Sequence, residues 1–215
     1  MDLEDPTQHV FLKQMSKLGV LNKVKLDTTG LYVDGKMILE CEAESGFGAF
    51  AKSIYKKYSS SYSKYFKMDN LSKLGFIASE VLLSEFSLDS FQPEDVALIF
   101  TNTHSSIDID CKYVESMDTV PSPALFVYTL PNIMMGEISI RHELRGENIL
   151  YIATHLDSNL MYNTVKESFT SYGTKMCITG YIDYKDTNNF IADIILVGEC
   201  NDEVEEFSTN SFQTV

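Results

Sequence analysis

The sequence predicts an α/β fold with a mixed, mostly parallel sheet flanked by helices. Two observations carry this: an amphipathic helical pattern followed by a continuous apolar run recurs along the chain, and two strand-like runs close it. The 215 residues, 44% hydrophobic and 22% charged, suit a single compact domain over 1–215.

The elements follow in order. Val10-Phe-Leu and Leu18-Gly-Val-Leu suggest short apolar contacts. Thr28-Thr-Gly marks a turn before Leu31-Tyr-Val, and Asp34-Gly a second turn before Met37-Ile-Leu, which together read as two strands joined by a hairpin. From Ala49 to Tyr58 the spacing of Phe50, Ile54 and Tyr55 predicts a helix, with polar, turn-prone Tyr58-Ser-Ser-Ser-Tyr after it. Asp69 is an N-cap candidate for a helix carrying Leu71, Leu74, Ile77, Ala78, Val81 and Leu82. Pro93-Glu-Asp then leads into Val96-Ala-Leu-Ile-Phe, a run of the kind buried on both faces of a parallel sheet.

A second helical pattern spans Asn132 to Leu144, with Gly146 as its closing glycine, and a second buried strand, Ile149-Leu-Tyr-Ile-Ala, follows. Asp157 caps a third helix carrying Leu160, Met161, Thr164, Val165 and Phe169, which Gly173 ends. Strands Lys175 to Asp183 and Phe190 to Glu199 are joined by the polar turn Lys185-Asp-Thr-Asn-Asn. Glu199, Asp202, Glu203, Glu205 and Glu206 make residues 200–215 read as an acidic, flexible, solvated tail.

Net charge of −14 with dispersed lysines argues against a nucleic-acid partner. No apolar run reaches the ~18 residues of a membrane span, and the first residues lack the basic and apolar stretches of a signal peptide, so a cytoplasmic location is expected. Cys41, Cys111, Cys177 and Cys200 form no C-x-x-C pair and read as reduced; Cys41, Cys177 and Cys200 read as core thiols. No cofactor or metal is suggested. His104-Ser-Ser with Asp108 and Asp110 lies just past a strand end, where α/β folds bind ligands, and invites a hydrolytic or metal reading against a plainer one as a loop near an interface.

Three blocks resemble a β-ketoacyl synthase, a condensing enzyme of the thiolase superfamily. They are Tyr65 through Glu80; Pro121-Ser-Pro-Ala-Leu-Phe through Thr129-Leu-Pro-Asn and Ile140-Arg-His to Gly146-Glu-Asn148; and Gly173 through Asp183, where Tyr181 and Ile182 replace the usual small residues. The resemblance covers about Tyr65 to Glu199 and implies one amino-terminal half of the duplicated thiolase fold. In that family a cysteine at the start of a helix attacks an acyl thioester, its thiol activated by the helix dipole and backbone N–H groups. Counted through the strand from Ile149, the resemblance puts His155 at that position.

The family's partner histidines come from a second half that this chain does not supply, so the resemblance implies a subunit without Cys-dependent acyl transfer. His155 near a helix start is then pocket-filling, or alternatively a base in an acyl-thioester transferase or hydrolase, with Asp157 better explained as a cap. The family also pairs this strand edge to edge across a two-fold. The resemblance therefore implies a dimer, homomeric or with a ketosynthase, formed to bury apolar sheet and helix surfaces that a lone half leaves open. Pro131, Asn132, Met134, Met135, Ile149, Tyr151 and Ala153 are the implied interface or acyl-tunnel residues. The expected function is that of a non-catalytic, chain-length-factor-like subunit in fatty-acid or polyketide-type biosynthesis. A third reading is an acyl or acyl-carrier-protein binding module, for which Arg141 and Arg145 are the local basic residues.

Overall fold

A computed structural model describes residues 17–42, 46–59, 61–200 and 203–212; Val10-Phe-Leu lies outside them. One seven-stranded sheet has the order β3-β2-β1-β7-β6-β4-β5. Its strands are β1 Leu18–Asp27, β2 Gly30–Val33, β3 Lys36–Glu40, β4 Val96–Asn102, β5 Asn148–Ile152, β6 Met176–Asp186 and β7 Asn189–Glu199. The helices are α1 Gly46–Tyr58, α2 Asn70–Leu82, α3 Ile107–Ser116, α4 Pro123–Val127, α5 Ile133–His142 and α6 Ser158–Ser171. Only β2 and β7 run against the other strands, yet they make four of the six neighbour pairings antiparallel. The sheet is therefore mixed as expected, but most of its neighbour pairings are antiparallel rather than parallel.

The first three strands form a meander rather than a single hairpin. Asp34 and Gly35, both at positive φ, supply the two-residue turn before β3. β4 is buried at all seven positions because β6 and β5 pair with it on either side and helices cover both faces. On one face, Val24, Leu26, Leu98 and Phe100 meet α1 and α2, and α2 buries eleven of its thirteen residues because α5 packs over its outer side. Gly75 makes that layering possible: a Cβ there would lie 2.5 Å from Met134 Cγ. On the other face, Ala97, Ile99, Cys177 and Val197 meet Met161 and Val165 of α6.

Three expectations change. Gly146 does not end α5; Glu143 does, in the left-handed region at φ 57°, while Gly146 is needed where its backbone crosses β4, since a Cβ would lie 2.2 Å from Val96 O. Residues 203–212 are docked, not a free tail: Phe207 and Phe212 join the α6-side core, Val20 N donates to Glu205 O at 2.9 Å and Phe207 N to Leu18 O at 2.9 Å. That segment and α6 also cover the apolar part of the sheet face that the sequence reading left open. β5 is an edge strand, exposed at Asn148 and Ile152, and not buried.

Candidate functional site

The carboxyl ends of β4, β5 and β6 lie side by side, with Asn102 opposite Ile152 and Thr101 opposite Tyr181. Beyond β5, Ala153 N donates to Asn102 O at 2.9 Å, and the chain then leaves the sheet. Asp157 stops the turn and starts α6, accepting from Asn159 N and Leu160 N at 3.0 Å each. His155 is exposed in this loop, ahead of the cap and not at the helix start, and its Nδ1 lies 3.1 Å from Thr154 Oγ1. Asp157 is engaged as the cap, so His155 has no carboxylate partner among the described residues. The nearest cysteine in sequence, Cys177, is fully buried, and burial pushes its thiol far above the ordinary range.

The His104 cluster resolves differently from its sequence grouping. His104 Nδ1 lies 2.6 Å from Oδ2 of Asp183, a buried residue of β6, and Asp183 Oδ1 accepts from Thr103 N at 3.1 Å and His104 N at 2.8 Å. Asn102, also buried, donates from Nδ2 to Ile182 O at 2.8 Å and accepts from Ser105 N. The β4–α3 turn is thus held by two polar side chains, which supports the left-handed φ of 54° at Ser105. Asp108 instead takes Asn70 and Lys112, and Asp110 takes Ser106, so His104, Asp108 and Asp110 are not brought together. Asp183 had no signal in sequence beyond being a carboxylate at a strand end.

The interface candidates divide between the two sides of β5. Pro131, Asn132 and Met135 line an open groove with Gly136, Ser139, Ile140, Asn148, Leu150 and Ile152. Met134 does not reach it; it is buried against Gly75 of α2. Ile149 and Tyr151 alternate to the opposite face, packed toward α6, with Tyr151 OH 3.1 Å from Thr164 Oγ1. Leu150 and Ile152 are therefore the groove residues that β5 supplies. They went unnamed in the sequence reading because residue type alone does not show which way a strand alternates.

Arg141 is not a free docking cation. Its Nε and Nη2 donate to buried Glu80 at 2.9 and 3.1 Å, and His142 Nε2 lies 3.1 Å from the same carboxylate. Arg145 stays exposed, 4.0 Å from Glu94.

No protein-family model and no curated protein matches the sequence. Solved structures do match in fold. The ishigamide ketosynthase/chain length factor aligns with a TM-score of 0.61 at 14% identity, over 88% of this chain and 64% of that one. A ketosynthase in complex with its chain length factor from Xenorhabdus doucetiae aligns at 0.53 and 12%, over 87% and 81%. A β-ketoacyl synthase from Burkholderia phymatum STM815 aligns at 0.55 and 11%, over 86% and 60%. This chain spans under two thirds of the first and third of these structures. The fold is that of thiolase-like ketosynthases and chain length factors.

Proposed function

We propose that the protein is a non-catalytic, ketosynthase-like subunit that pairs through β5, with a second copy or with an active ketosynthase, in polyketide- or fatty-acid-type biosynthesis. The observation that carries this reading is the outer edge of β5. It makes no ladder with any described strand and carries no charge, proline or bulge, the usual devices that keep an edge from pairing. The surface beside it is of the same kind: from Thr119 to Gly136 no residue is charged, and Phe126, Val127, Leu130, Ile140 and Ile152 are exposed.

The absence of condensing chemistry rests on the β5–α6 loop. Thr154, His155, Leu156 and Asp157 offer no thiolate, and the neighbour of the imidazole is a hydroxyl. Among the similar structures, one is a ketosynthase complexed with its chain length factor, which is the arrangement proposed here.

Size-exclusion chromatography with light scattering tests the pairing, on the chain alone and mixed with ketosynthases. A dimer is expected in one of the two, and Ile152→Lys returns it to monomer with unchanged circular dichroism. Monomer in both samples removes the reading. Turnover of an acyl thioester by the chain alone, lost in His155→Ala, would replace it with the hydrolase or transferase alternative.

A further inference from the structure

Far from β5, the sheet face opposite α1 and α2 turns polar on its β1–β2 side. Val24 and Leu26 point into the core, so alternation puts Lys23 and Lys25 on the outer face. β7 adds Asp193, directly across from Lys25. A cleft of about 340 Å³ opens between these residues, Tyr32 and Ser211, at the small end of ligand-pocket sizes.

Its neighbours are paired. Lys23 Nζ holds Glu205 at 2.9 Å, and Lys25 Nζ holds Asp27 at 3.2 Å. Asp193 differs: its carboxylate makes no hydrogen bond or ion pair with any described residue, although it is half-buried. Burial pushes its carboxyl upward, against the pull of Lys25 and Lys23. An unpartnered, partly desolvated carboxylate is costly to hold. Its oxygens are not sealed in the protein, and the residue lines the cleft.

We propose that this cleft binds a small zwitterion of the α-amino-acid class, with the ligand ammonium on Asp193 and its carboxylate on Lys25. A simple cation would meet Lys23 and Lys25, and a simple anion would meet Asp193 and Asp27. Lys25 and Asp193 stand directly across from each other on neighbouring strands and both line the cleft, so a ligand carrying both charges a few ångströms apart can meet one of each sign. Lys25 keeps ammonium hydrogens beyond the one directed at Asp27. The site shares no residue with the β5 edge and stands apart from the pairing proposed above.

Titration of the ¹⁵N-labelled chain with glycine, L-lysine and L-glutamate, and with methylamine and acetate, tests it by amide shifts. At least one amino acid is expected to saturate shifts at Lys25 and Asp193, about tenfold more tightly than methylamine or acetate. Asp193→Asn and Lys25→Met each weaken that binding at least about tenfold while leaving the thermal midpoint within a few degrees. The proposal is overturned if no amino acid saturates, if methylamine or acetate binds as tightly, or if the folded Asn variant keeps its affinity.

Discussion

Glu80 occupies a nearly closed position in α2, and its ionisation is tied chiefly to the last turn of α5. Burial alone would raise its carboxyl, but the close contacts of His142, Arg141 and Ser59 outweigh that and bring it down to about 2. A carboxylate held below its ordinary value adds stability above about pH 4.5 and loses it as the pH falls toward 2. Arg141→Ala removes two charge-assisted hydrogen bonds to Glu80, so it is expected to cost about 1.5–3 kcal/mol in urea unfolding at pH 7. Acid unfolding followed by circular dichroism then moves to higher pH. An unmoved acid midpoint would show that Arg141 does not hold the charge. Pairs of this type were illegible in sequence: Arg141 and Glu80, like His104 and Asp183, sit in different elements, and nothing local to either residue announces the other.

Elements were legible where their chemistry is local. Asp69 caps α2 by accepting from Leu71 N at 3.2 Å and Ser72 N at 3.1 Å, as its place before an apolar stripe suggested. Asp69→Ala is expected to lower stability by about 1 kcal/mol in denaturant titration, and a loss under about 0.3 kcal/mol would mean that the Asp69 carboxylate is not the effective cap. Elements were missed where packing decides. β1 hides its full length because a register shift between Val20 and Asn22 sends Val20 to one face and Val24 and Leu26 to the other, which breaks the alternation a strand shows. α3 buries only Ile109, so it has no apolar stripe to read. The closing glycine of α5 was misplaced because a glutamate accepts the left-handed position there.

The whole molecule closes its second core with a segment whose composition disguises it. Glu203, Glu205 and Glu206 face solvent and dominate the charge pattern, while Phe207 and Phe212 do the anchoring, with Phe207 also against Tyr162 at 5.3 Å between ring centroids. Phe207→Ala is expected to cost about 3 kcal/mol and lower the thermal midpoint by roughly 6–12 °C. Calorimetry reading a fall under about 2 °C would show that residues 203–212 contribute little to the core. The candidate site was legible as far as the resemblance placed β5 and the β5–α6 loop. Which side of β5 each residue takes, and what Asp183 and Asp193 do, required the assembled sheet.

β7 is the last strand among the described residues, yet it lies in the middle of the sheet, between β1 and β6. During synthesis the meander at the amino end therefore keeps the second edge of β1 open until Glu199 has left the ribosome, and β6 also waits with one side open. A nascent chain stopped short of β7 is two open-edged fragments and not a smaller domain. Such contacts, distant in sequence, slow folding and leave those edges available to other chains meanwhile.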